Sequence, residues 1–172
     1  MTRPRCAAFL ATSLDGFIAR PDGRVDWLDA YEAPAEEYAA FFAGIDTVLI
    51  GRATYDLVVT FPEWPYGAKR VAVLTHRPAA PRHGEAFVAG EAAEVLAGLA
   101  ASGSRSVYVY GGAVVSQYLA AGLLDELTIT VVPLVLGAGR RLFQGTLPKR
   151  RFSLVASRAY PSGLVRITYR PT

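Results

Sequence analysis

Three stretches of the chain place small residues beside hydroxyl or guanidinium side chains where an apolar run gives way to a turn. Ile50-Gly51-Arg52-Ala53-Thr54 and Tyr110-Gly111-Gly112-Ala113-Val114-Val115 each end one such run, and Thr75-His76-Arg77 ends a third. The first turn of a helix carries unpaired backbone N–H groups and a partial positive charge, and glycine lets a ligand approach that backbone closely. Such a junction is suited to an anion, phosphate above all. A lone glycine turn serves plain helix-on-sheet packing equally well, but three anion-friendly strand ends in one sheet suggest a long polyphosphate ligand. Arg52 and Arg77 then suit an additional 2′-phosphate, because guanidinium forks match phosphate geometry.

Other chemistries lose support. Gly137-Ala138-Gly139 would need glycine at 142 to complete a dinucleotide fingerprint, and that residue is Leu142; neither a Walker A lysine pattern nor a GxSxG nucleophile elbow occurs. With only His76 and His83, HExxH is impossible, and Cys6 as the single cysteine allows neither an intrachain disulfide nor CxxC, so no metal site is expected. Lys plus Arg is 18 against 15 Asp plus Glu, a net +3 scattered along the chain with Arg140-Arg141 and Lys149-Arg150-Arg151 the tightest groups. That excludes a nucleic-acid stripe. The uncharged span Ser106 to Leu124 is broken by Gly111-Gly112, Ser116 and Gln117, which argues against a membrane helix. Arg3 and Arg5 precede an apolar stretch, but Asp15-Gly16 cuts it short for a signal peptide, so the expected compartment is the cytoplasm.

The elements that must position the junctions follow from periodicity. With 172 residues, 52% hydrophobic and 19% charged, the composition is that of one packed domain over 1–172. Apolar runs predict strands over Ala7–Thr12, Thr47–Ile50, Arg70–Thr75, Ala86–Val88, Ser106–Tyr110 and Leu127–Val135. Helical spacing predicts Ala35–Ala43, a helix opening at Gly51, Glu91–Ala101, and a helix after Gly111-Gly112 with Gly122 at its C-cap. Pro161-Ser162-Gly163 joins Phe152–Tyr160 to Leu164–Tyr169 as a terminal hairpin. The long polar loop from Ala19 to Pro34 carries Trp27. Strands alternating with helices, then strands alone, predict a three-layer α/β domain with a mainly parallel sheet and an antiparallel edge.

An ordered set of motifs spans nearly the whole chain: Ser13-Leu-Asp-Gly-Phe-Ile-Ala19, Leu49-Ile-Gly-Arg-Ala-Thr-Tyr55, Tyr110-Gly-Gly112, and Leu124-Asp-Glu-Leu127 through Pro133-Leu-Val-Leu-Gly-Ala-Gly139. The set resembles the dihydrofolate-reductase-like superfamily. More narrowly it is similar to stand-alone relatives of the reductase domain of the riboflavin-biosynthesis deaminase-reductase. The resemblance implies a three-layer αβα fold and an NADPH-dependent reductase, with Gly51, Arg52 and Thr54 on the adenosine phosphates, and Thr75 and Arg77 near the 2′-phosphate. Gly111, Gly112, Ala113, Val114 and Val115 would surround the pyrophosphate, and Ala11 and Ile18 the nicotinamide. On the substrate side it implies Ser13, Asp15, Trp27 and Tyr110, with Asp15 the catalytic carboxylate that orients a hydroxyl or ring nitrogen. A turn aspartate and a loop-anchoring tryptophan are the structural alternatives for Asp15 and Trp27.

Two departures bear on the substrate. Folate reductases hold the pteridine with an acidic residue on the first helix, whereas the spacing here lands near Ala35, with Glu32, Glu36 and Glu37 as approximate candidates. Riboflavin-pathway reductases carry glutamate before the glycine pair, and this chain has Tyr110. The expected reaction is hydride transfer to a C=N or C=O of a pterin-, pyrimidine- or flavin-precursor-like heterocycle, such as 5-amino-6-(5-phosphoribosylamino)uracil, with Asp15, Tyr110 or water supplying the proton. Dihydrofolate reduction and a non-catalytic NADPH-binding or sensing domain are the alternatives. The resemblance also implies a homodimer, for which Leu127–Val135 is one candidate surface.

Overall fold

The computed structural model describes residues 3–172. Its main sheet has eight strands in the order β5-β4-β3-β6-β1-β7-β10-β9. These are β1 (Arg5–Ser13), β3 (Thr47–Gly51), β4 (Arg70–Leu74), β5 (Ala86–Val88), β6 (Ser106–Tyr110), β7 (Glu126–Val132), β9 (Phe152–Ala159) and β10 (Val165–Pro171). A second ribbon pairs β2 (Phe17–Ala19) with β8 (Arg140–Arg141). From β5 to β7 the pairing is parallel, and β10 runs antiparallel to both β7 and β9. The three-layer α/β expectation holds.

Strands β3 and β6 are buried on both faces, which is why Val48-Leu49-Ile50 and Val107-Tyr108-Val109 are continuous apolar runs rather than alternating ones. Helices α1 (Ala35–Ala43) and α2 (Arg52–Val58) cover one face through Phe41, Phe42, Tyr55 and Val58. Helices α3 (Ala92–Ala101) and α4 (Gly112–Ala120) cover the other through Val95, Leu96, Val115 and Tyr118. Each fully buried aliphatic side chain contributes about 1.5–3 kcal/mol. Truncating Leu49, which has no exposed surface, would cost about 2–5 kcal/mol.

Three details depart from the sequence expectation. The long strand stops at Val132 because Pro133 has no N–H to continue the ladder; the Leu134 amide turns back to the Val132 carbonyl at 2.7 Å. Gly122 lies one position past the α4 C-cap, with φ +70°, where the Leu123 and Gly122 amides bond the Tyr118 and Leu119 carbonyls. The β2–β8 ribbon was not expected. It needs Gly139, where an added Cβ would collide with the Ala19 carbonyl oxygen. Strand β7 lies between β1 and β10 with no free edge, so it cannot pair edge to edge across a two-fold axis; the edge strands of the sheet are β5 and β9.

Candidate active site

Strands β3 and β6 are neighbours in register, with Ile50 opposite Tyr110, so Gly51 and Gly111 leave the sheet side by side. The β3–α2–β4 connection runs one way across the sheet and β6–α4–β7 the other, which puts α2 and α4 on opposite faces. This is a topological switch point, where open α/β sheets bind ligands. Gly111 has φ +98°, a conformation closed to other residues, and a Cβ on it would lie 2.8 Å from Thr54 Oγ1. A Cβ on Gly51 would lie 3.3 Å from Val114, so the two helix starts touch.

Neither α2 nor α4 has a side-chain cap or an acidic residue in its first turn. Helix α3, by contrast, has Glu94 in its first turn accepting from the Glu91 amide at 3.2 Å. The bare amides of α2 and α4 border a cleft of about 780 Å³ whose walls include Ile18, Gly51, Arg52, Ala53, Thr54, Gly111, Gly112, Ala113 and Val114. Arg140, Arg141 and Gln144 complete it from the β8 side. Gly112 also serves packing, since a Cβ there would collide with the Arg141 carbonyl oxygen.

Three cofactor-side residues sit differently from expectation. Val115 is fully buried and its amide bonds the Gly111 carbonyl at 2.9 Å, so it has no donor for a ligand. Thr75 and Arg77 lie outside the cleft lining but beside it: Thr75 Oγ1 accepts from the Arg77 amide at 3.0 Å, and Arg52 donates to the Arg77 carbonyl. Arg52 also donates to Asp56 at 2.7 Å.

A second cavity, of about 370 Å³, opens on the α1 face of the sheet. Phe9, Tyr38, Tyr66, Tyr108 and Tyr110 form much of its wall, with Ala11 from β1, Leu28 and Tyr31 from the early loop, and Arg166 from β10. Tyr110 belongs to the walls of both cavities. Burial raises the hydroxyl pKa values of Tyr66, Tyr108 and Tyr110, so these groups stay protonated. The Tyr108 hydroxyl donates to the Phe9 carbonyl at 2.6 Å, whereas that of Tyr110 has no hydrogen-bond partner among the described residues.

Among the described residues, no carboxylate lines this cavity. The position nearest the expected acid, Ala35, is in the wall, while Glu37 engages a neighbouring cluster. Glu37 Oε2 accepts from Arg166 at 2.6 Å, and Oε1 accepts from Arg158 and from the Tyr160 hydroxyl, each at 2.7 Å. These bonds, Arg166 foremost, hold the Glu37 carboxyl below its ordinary range. Arg166 is buried, donates from Nε to Thr130 at 3.0 Å, and lies 4.9 Å over the Phe9 ring. Sequence reasoning missed Arg166, because in β10 it alternates with apolar residues in line with Thr168 and Arg170, the pattern of a solvent-facing strand side.

Asp15 does not face either cavity. Its Oδ1 accepts from Ser13 Oγ at 2.6 Å and the Leu136 amide at 3.0 Å, and Oδ2 accepts from the Gly137 amide at 2.8 Å. Ser13 Oγ in turn accepts from the Phe17 amide at 3.0 Å. The Ser13 bond leads these contacts in holding Asp15 at a pKa of about 2, so at neutral pH it has no proton to give. The catalytic reading of Asp15 is therefore replaced by a structural one: the Ser13–Asp15 pair clamps the β1–β2 turn to the segment leading to β8. Trp27 is buried against Val132, Tyr160 and Leu164, outside both linings, and anchors the loop that presents Leu28 and Tyr31. Among the described residues there is no His, Cys, Asp and Glu cluster fit for a metal, and no helix is long and apolar enough to cross a membrane.

The sheet order, the switch-point cleft and the antiparallel edge define a dihydrofolate-reductase-like α/β fold. Dihydrofolate reductase from Enterococcus faecalis, solved as a complex with NADP(H), shares that fold at a TM-score of 0.70 with 19% identity, over 98% of this chain and 96% of that one. The sequence matches the RibD C-terminal domain family over residues 4–166, and the chain belongs to that family. It is similar to a protein of Shewanella sp. PV-4 named for riboflavin biosynthesis, with 32% identity and a TM-score of 0.89 over 98% of this chain and 99% of that one. It is also 34% identical over 156 residues to the uncharacterized protein YwjB of Bacillus subtilis (strain 168), covering 88% of this chain and 90% of YwjB.

Proposed function

We propose that the protein is an NADPH-dependent reductase that delivers hydride to a C=N or C=O carbon of a small heterocycle, of the kind the riboflavin setting of its family supplies. The observation that carries this reading is Tyr110: one residue walls both a cleft made of bare helix amides and a cavity made of aromatic rings. The glycine cradle fits a dinucleotide, because a Cβ at Gly111 or Gly51 would crowd the two helix starts that meet there. Gly51, Ala53, Thr54, Gly111, Ala113 and Val114 would hold the phosphates with Arg140 and Arg141, and Arg52 beside Arg77 would favour a 2′-phosphate. When bound, NADPH supplies the hydride.

The chain's own residues position the acceptor. Ala11 walls the aromatic cavity and Ile18 the cleft, so the nicotinamide expected near both falls where the two spaces meet. The protonated Tyr110 hydroxyl donates a hydrogen bond to the acceptor's heteroatom, and solvent completes the protonation, since Asp15 is ionised and engaged elsewhere. A cytoplasmic homodimer is part of the proposal, with the edge strand β9, where Leu154 and Val155 are exposed, as the pairing surface. Light scattering that shows a concentration-independent monomer would remove the dimer.

The test is titration of the purified protein with NADPH and NADH, followed by tryptophan fluorescence and melting temperature. Saturable NADPH binding, tighter than NADH and weakened in Arg52→Ala, is expected. No binding of either by folded protein would overturn the reading. The cavity without a carboxylate also suits a domain that binds NADPH without turnover, and failure of NADPH oxidation across pterins, pyrimidine ribosides and flavin-like rings would select it.

A further inference from the structure

We infer, resting on the reductase reading, that the aromatic cavity takes an uncharged planar ring bearing no phosphate. Two walls of the space are rings at fixed angles: Tyr108 and Tyr110 with centroids 5.4 Å apart, and Phe9 edge-on to Tyr38 at 5.5 Å. Aromatic faces and edges favour a flat ligand, and about 370 Å³ is at the scale of a fused-ring compound.

Charge decides the rest. Arg166 is the charged residue in the lining among the described residues, and it is already paired: its Nη1 donates to Glu37 and Tyr160 and its Nε to Thr130, while the guanidinium covers Phe9. A phosphate entering this space would leave water for a single guanidinium that is already ion-paired with Glu37. A cationic ring would find no carboxylate. Both are costly in an apolar setting, because a desolvated charge needs a partner. The polar groups on offer are neutral hydroxyls, held protonated by burial, which suit carbonyl oxygens and ring nitrogens. The substrate class is thus a neutral conjugated carbonyl or imine ring, distinct from the phosphoribosyl-pyrimidine that the family resemblance suggests.

The experiment is equilibrium binding of lumichrome, riboflavin and riboflavin 5′-phosphate to the full chain, read by quenching of ligand fluorescence. These share one ring system and carry, respectively, no chain, a neutral chain and a phosphorylated chain. Lumichrome should bind, and the phosphate should weaken riboflavin at least tenfold. Tyr38→Ala, checked for a cooperative melting transition because Tyr38 packs on Phe9, Phe41, Phe42 and Tyr108, should weaken lumichrome at least fivefold. No lumichrome binding, or riboflavin 5′-phosphate binding as tightly as riboflavin, would overturn the inference. NADP+ is titrated separately by melting temperature. A shift with NADP+ but no lumichrome binding overturns the ring class alone, whereas lumichrome binding without an NADP+ shift overturns the reductase reading and leaves the ring class standing.

Discussion

The two cavities that meet at Tyr110 are made from different materials. The cleft is backbone at its centre: glycines, alanines and two helix starts without caps, set at the switch point by strand order and bordered by Arg52, Arg140 and Arg141. The aromatic cavity is side chain: tyrosines and phenylalanines from β1, α1, β6 and a loop, with its one charged residue, Arg166, ion-paired to Glu37. A backbone cleft offers dipoles that accept an anion at no cost in side-chain order, while an aromatic wall offers area and neutral donors but no place for charge. The difference assigns the polyphosphate to one side and the ring to the other.

The largest effect is expected from breaking the backbone side. Gly111→Ala forces a Cβ into a glycine-only conformation and against Thr54, so stability should fall by about 1–3 kcal/mol and NADPH affinity at least tenfold. Thermal unfolding and NADPH titration of the same preparation check both. An unchanged variant would mean that the cleft does not depend on this glycine.

The next effect sharpens the contrast in charge. Glu37→Gln removes the carboxylate that neutralises Arg166, which should lower stability by about 1–2 kcal/mol and make the aromatic cavity cationic. The preference for riboflavin over its 5′-phosphate should then shrink or reverse. A preference that survives intact would show that the ion pair does not set the cavity's charge.

The two sides also differ in how far they could be read from sequence. The cleft was legible because its signal is local: an apolar run, glycine, then helical spacing, within six residues at Gly51 and again at Gly111. Helix α1 and strands β5 and β6 fall on the expected residues for the same reason. The aromatic cavity was not legible as a unit, because Phe9, Tyr38, Tyr66, Tyr110 and Arg166 are brought together only by sheet order. Asp15 is expected from the sequence to be the catalytic carboxylate, but its partners include the amides of Leu136 and Gly137, 121 and 122 positions away, which no local pattern announces. The β2–β8 ribbon was hidden likewise, being three residues paired with two across the chain.

The smallest effect is the acid dependence of that clamp. Asp15 titrates at about 2 in the folded chain against an ordinary 3.8, so the stability it adds is present above 3.8 and is lost as the pH falls towards about 2. Asp15→Asn should therefore melt below the parent protein near neutrality, and the two melting temperatures should converge at acid pH. A gap that stays constant to pH 2 would deny the clamp its ionised carboxylate.

The most direct test of the division between the cavities is Ala113→Glu. Ala113 is exposed in the first turn of α4, which has no acidic residue, so a glutamate there favours the helix dipole by about 0.3–1 kcal/mol while placing negative charge where phosphate would sit. We predict a melting temperature equal to or above that of the parent protein together with at least a tenfold loss of NADPH affinity and unchanged lumichrome affinity. NADPH binding that is undiminished in a folded Ala113→Glu protein would contradict the placement of the dinucleotide in the glycine cleft.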